Sequence, residues 1–245
     1  MNAGPFWALV RKDIMETLRT GGLHIAMSVL GASGFALIPV MTRPRPLHMQ
    51  GAEAAAYRAA LNAATNAQMP LLAFWIMTFA GVSIVSNLMT REKTRKTMIP
   101  ILCSGVTPRA VWAAKVSAVF AVTYVVVLVA LGLYIGGISV IGRGLSLPTL
   151  KWTIASLVVA PLVSLASFGV VGIIVMLFTH AWFVAILLSM SPLVLSSVWY
   201  RLLGAQHHAR LFIMSSMVCL AVIATCWALA GLVPRERASG VLEWD

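Results

Sequence analysis

The side chains able to do chemistry in this chain are few and scattered. His207 and His208 stand side by side, and Cys219 and Cys226 lie seven residues apart, a spacing that puts both thiols on one helical face. Either pair is compatible with a metal. The simpler reading is that the histidines are solvated on a polar loop and that the cysteines, with Cys103, pack as small apolar residues. His24 and His180 sit near the ends of apolar runs. No CxxC pair, HExxH pair or Ser/His/Asp arrangement is evident, and no GxxxxGK[ST] loop that would hold a nucleotide phosphate. Catalytic, metal and cofactor sites are therefore not expected within the chain. Ser164, Ser167, Ser189, Ser191, Ser196 and Ser197 punctuate an apolar stretch. Their hydroxyls could line a translocation path, or simply bond their own helix backbone or a neighbouring helix.

The densest charge lies in REKTRKTMIPILCSGVTPRAVWAAK, residues 91–115, which carries Arg91, Lys93, Arg95, Lys96, Arg109 and Lys115 with Glu92. The same stretch holds Met98, Ile101, Leu102, Val106 and Trp112. Pro100 and Gly105 should break any single long helix here. Two pieces are expected, 91–99 continuing the helix before it and 108–115 leading into the next, with Pro108 suited to a first turn. Such a folded-back element presents a knob to a partner and not a flat face to lipid.

The elements that must position this segment are membrane spans. Of 245 residues 60% are hydrophobic and 10% are charged, against roughly 25% charged in a soluble domain. Too few polar residues remain to cover a soluble core, and apolar blocks of membrane-spanning length recur along the chain. The expected architecture is an all-α, polytopic integral membrane protein with six transmembrane helices at about 21–41, 69–89, 117–141, 153–178, 182–200 and 211–233. Between Lys151 and Arg201 no formal charge occurs, so a helical hairpin turning near Thr179–His180 is expected, its helices kinked at Pro161 and Pro192. Residues 1–20 form an interfacial helix, with Phe6, Val10, Ile14 and Leu18 on its apolar face and Arg11, Lys12, Asp13 and Arg19 off it. Residues 42–68 form an outer loop, helical from Glu53 to Ala67, and Pro70 falls in the first turn of the second span. Residues 234–245 are a short tail. Segments 1–20, 90–115 and the tail hold eleven Lys and Arg, against seven in 42–68, 142–151 and 201–210. That bias puts both termini in the cytoplasm. The net charge of +11 then reflects cations beside anionic lipid, with no nucleic acid implied. The span interiors carry no Asp, Glu, Lys or Arg, which disfavours an ion-coupled carrier or channel.

Residues 91–115 also carry a family likeness. Glu92, Thr97-Met98, Ile101-Leu102, Ser104-Gly105-Val106-Thr107 and Ala114-Lys115 follow the pattern after the second span in the type-2 family of ABC transporter permeases, which the chain resembles. LVRKDIMETLRT near the N-terminus is similar to that family's connecting helix. Lys96 stands where the pattern has Gly, Ile99 where it has its second Glu, and Gly105 where it has Pro. The resemblance implies the permease subunit of an ATP-driven exporter, one that forms the translocation path and pairs with a second permease chain as a homodimer. It implies a separate ATPase subunit holding ATP and Mg, with residues 90–115 as a cytoplasmic coupling helix seated in it. On that resemblance Glu92, Lys93, Arg95, Thr97, Met98, Ile101, Leu102, Val106 and Arg109 would make that interface, with Met98, Ile101 and Leu102 as its buried anchor and Glu92, Lys93, Arg95 and Arg109 as its polar rim, and the permease would lie in the plasma (inner) membrane. A non-transporting scaffold of a cytochrome c or copper-enzyme maturation system is the alternative.

Overall fold

Alanine-rich residues 52–67 favour helix so strongly that they run without a break into the apolar stretch after them. In the computed structural model, which describes Gly4 and residues 6–19, 51–141, 149–178, 208–234 and 238, the described elements are all helical. They are α1 (residues 6–19), α2 (Ala52–Thr94), α3 (Met98–Cys103), α4 (Pro108–Ile141), α5 (Leu150–Leu177) and α6 (His208–Ala230). Four of them, α2, α4, α5 and α6, are long and apolar enough to cross a membrane. The expected spans at 21–41 and 182–200, with Pro192, His24, His180, His207 and the turn at Thr179–His180, lie outside the described residues.

At 43 residues, α2 is about 65 Å long, roughly twice the hydrocarbon thickness of a bilayer. Its first three turns are largely exposed, and burial begins near Thr65. The outer segment is thus helical from Ala52 and continuous with the span. Pro70 lies inside α2 instead of at its start, at the loss of the one hydrogen bond its missing N–H would make.

The helix α2 is central. It packs on α4 and α5, while α6 leans on α5 and α4 from outside. Close approach of α2 and α5 depends on Gly81, where a Cβ would overlap the ring of Phe168. One turn away, the Thr78 and Ser164 hydroxyls meet at 3.1 Å in the same buried interface.

Within α5 the turn Ala155–Val159 is wound as a π-helix, just before Pro161. Proline has no N–H for the carbonyl of Leu157 four residues back, and its ring crowds that carbonyl. The Tyr124 hydroxyl of α4 donates to this oxygen at 3.2 Å, so the irregular turn keeps its polar group satisfied where lipid offers no donor.

The face that α1 buries differs from the expected one. Val10 packs with Ala114 and Ala118 of α4, with Phe6, Leu9 and Ile14 beside it, and Asp13 and Thr17 are buried on the same side. Leu18, expected with the apolar face, is 53% exposed. The spacing Phe6–Val10–Asp13–Thr17 follows a helix face that meets protein, so Asp13 lies on it and not off it.

Candidate functional site

Residues 91–115 fold as two tight reversals around the short helix α3. The first ends α2: Thr97 N–H reaches the Glu92 carbonyl at 3.0 Å and Lys96 N–H the Lys93 carbonyl at 3.1 Å. That pair of bonds is a Schellman motif, whose penultimate residue must adopt a left-handed conformation. Lys96 does so, at φ 56°, in the position where a glycine fits without penalty. The second reversal ends α3 at Gly105, φ 87°, a value that proline cannot reach. Thr107 then caps α4, its hydroxyl accepting from Ala110 N–H at 3.3 Å, with Pro108 as the first helical residue. Pro100 does not break a helix. It sits in the first turn of α3, where its missing N–H has no intrahelical role, and the actual break falls at Arg95–Thr97.

The charged residues of this segment reach into the bundle. Lys93 is buried and donates to the carbonyls of Val175 and Met176 at 3.4 and 3.2 Å, in the last turn of α5, where a helix runs out of donors of its own for its carbonyls. Arg109 treats α6 likewise, donating to the Trp227 carbonyl at 3.1 Å from Nε and to the Ala228 carbonyl at 3.5 Å from Nη2. Gly231 leaves the space its guanidinium fills. Trp112 donates from Nε1 to the Gly169 carbonyl at 3.1 Å, and a Cβ at Gly172 would come within 3.0 Å of that nitrogen.

The third attachment is ionic. Lys115, only 1% exposed, lies 3.4 Å from Asp13 Oδ2 and 2.5 Å from Glu92 Oε2. Oε2 has no aligned hydrogen bond, so the short approach to Lys115 is an ion pair and not a directed bond. Lys12 donates to Glu92 Oε1 at 2.8 Å. Burial works against the Lys12 charge, but Glu92 more than offsets it and raises the pKa of this ammonium. Burial pushes the Asp13 carboxyl above its ordinary value; Lys115 opposes the rise and Glu92 adds to it. Carboxylate oxygens of Asp13, Glu16 and Glu92 fall within 4.8 Å of one another, and the ammonium groups of Lys115 and Lys12 supply positive charge there.

These contacts place the C-terminal ends of α2, α5 and α6, the N-terminal end of α4 and one face of α1 at one end of the bundle. Outside this meshwork an exposed tip remains, made of Arg91, Thr94, Arg95, Lys96, Thr97, Pro100, Cys103 and Ser104, with Ile99 and Ile101 half-buried. The sequence-derived anchor and rim are redistributed accordingly. Met98 and Leu102 face the chain's own core at 2% and 5% exposure, because α3 folds back onto the bundle. Glu92 and Lys93 are buried, Val106 and Arg109 are half-buried, and Arg95 and Thr97 are exposed.

Of the serines, Ser164 donates to the Ala160 carbonyl at 3.0 Å and Ser167 to the Val163 carbonyl at 3.1 Å. Both bond their own helix, and Ser164 also joins α5 to α2 through Thr78. Ser189, Ser191, Ser196 and Ser197 lie outside the described residues. Asp13, Lys12 and Lys115 are the site residues that sequence reasoning left out of the interface. The available signal was a carboxylate on the Phe6–Val10–Thr17 face and a lysine flanked by alanine in an apolar helix.

A family model for ABC-2 family transporter proteins matches residues 31–168, a span that contains all of residues 91–115. The chain belongs to the ABC-2 transporter family. It is a multi-pass membrane permease of that family, and family membership implies an ATPase partner. No curated protein and no solved structure matches the chain.

Proposed function

We propose that this ABC-2 permease is the membrane subunit of an exporter, driven by a separate ATPase chain that holds ATP and Mg and seats the tip of residues 91–115. One observation carries the reading: Lys93, Arg109, Trp112 and the Glu92–Lys115 pair tie this one segment to α5, α6 and α1. A displacement of the tip therefore moves several spans together, which is what a subunit with no phosphate loop of its own needs from a partner. The tip exposes the cations Arg91, Arg95 and Lys96 together with Pro100, and Ile99 is half-buried. A partner cleft with acidic edges and an apolar floor matches that pattern.

The same reading gives six spans with both termini on the ATPase side. The chain leaves α1 at the end that holds residues 91–115 and begins α2 at the opposite end. It leaves α5 at the first end and begins α6 at the other. A six-span chain accounts for both changes of side. Two such permeases forming a homodimer complete the arrangement.

The test is a photo-crosslinking residue in place of Ile99, introduced in the native cell. The expected product joins the permease to a polypeptide with a GxxxxGK[ST] loop. Crosslinks to lipid alone, with no ATPase copurifying, would overturn the proposal.

A further inference from the structure

The helix α1 has a second face that its docking onto α4 leaves uncovered. Trp7, Met15 and Leu18 are exposed by 64%, 64% and 53%, and at helical spacing they flank Arg11, which is also exposed. Arg19 and Lys12 continue along one edge of this face. The two acids of residues 6–19 are elsewhere: Asp13 is buried against Lys115, and Glu16 turns its carboxylate toward Asp13 and Glu92. The open face is therefore apolar and cationic with no exposed acid.

We propose that this face is a binding surface for anionic phospholipid in the leaflet that meets residues 91–115. Three features select that occupant. The apolar side chains include a tryptophan, which favours the headgroup level of a bilayer. Arginine can lay its stem along apolar surface and hold its head at the phosphates. The sign of the charge matches anionic headgroups, and each basic residue near such a surface adds to the attraction. Because Lys12 and Asp13 are on this same helix and contact Glu92 and Lys115, a lipid-held α1 fixes one side of the attachment of residues 91–115. The lipid site itself needs no ATPase and stands apart from the coupling proposal.

The experiment uses the full chain with a diazirine amino acid in place of Met15, reconstituted in vesicles of equal phosphatidylglycerol and phosphatidylcholine. Irradiation and mass spectrometry then identify the adduct. The expected adduct is lipid, enriched in phosphatidylglycerol. Enrichment should fall about fivefold with Arg11→Gln or Arg19→Gln and up to about thirtyfold with both, with the melting temperature unchanged. Equal capture of the two lipids, or an enrichment indifferent to both arginines, overturns the proposal. So does capture of a second permease chain or of an ATPase, since either would make this face a protein interface.

Discussion

The Lys115 ammonium lies 2.5 Å from a Glu92 carboxylate oxygen, and both side chains are at most 5% exposed. This pair joins the last turn of α2 to the first turns of α4, and Asp13 and Lys12 extend it to α1. Breaking a buried pair by removing one partner costs more than the pair contributes, because the other charge remains. Lys115→Met is expected to destabilise the protein by about 3–5 kcal/mol. The triple variant Asp13→Asn, Glu92→Gln, Lys115→Met should recover most of the loss, as read by denaturant unfolding in detergent.

Asp13 gives the opposite sign. Its carboxyl pKa is raised from 3.8 by burial, against the pull of Lys115, so the folded state disfavours its charge. That penalty is fully present above the raised folded pKa and disappears as pH falls below the unfolded value. Asp13→Asn should therefore be as stable as the parent, or more so, at pH 7. The difference should shrink to nothing as melting curves are taken into the acid range. A variant less stable than the parent at pH 7 would show that the Lys115 contact outweighs burial.

Backbone strain at the first reversal is also measurable. Lys96 holds φ 56°, a conformation that costs a side-chain-bearing residue roughly 1 kcal/mol or more. Lys96→Gly should raise stability by up to about 1 kcal/mol, with glycine's greater unfolded-state entropy taking back part of it. Gly105→Pro should be destabilising, since φ 87° is closed to proline. Thermal melts of the two variants should shift in opposite directions.

The α2–α5 contact turns on one missing methyl group. Gly81→Ala would overlap the Phe168 ring and should cost about 1–3 kcal/mol, as overpacking does. Phe168→Leu in the same chain should relieve that cost. A double-mutant cycle gives the coupling energy, and strict additivity would mean that the two residues do not meet.

Tyr124→Phe removes the donor to the Leu157 carbonyl at the π-turn. Interhelical hydrogen bonds in membranes average about 0.6 kcal/mol, so the change in melting should be small. Hydrogen exchange should rise within residues 155–162 and stay unchanged along 164–177.

Much of this architecture was legible because lipid enforces simple rules. Apolar runs at 117–141, 153–178 and 211–233 marked helices that α4, α5 and α6 contain nearly whole. Gly105 and Pro108 marked a real turn and a helix start. The features that local pattern does not supply have a shared cause, which is tertiary contact. Met98 and Leu102 read as a partner anchor because their spacing is apolar, and spacing cannot tell a partner's cleft from the chain's own core. Glu92, Lys93 and Lys115 read as a solvated rim or flank because charges usually are. Their partners are carbonyls and charges up to about a hundred residues away, which local pattern cannot supply. Lys96 hid a left-handed turn behind a side chain that seldom adopts one.

The most direct test of the account uses Cys103, an exposed thiol on α3, while Cys219 and Cys226 are buried. A membrane-impermeant maleimide should leave Cys103 untouched in intact cells and label it in inverted vesicles stripped of peripheral proteins. Binding of the ATPase subunit should then protect it. Labelling from the cell exterior, or labelling that a bound ATPase does not slow, would contradict the claim that residues 91–115 couple this permease to its partner.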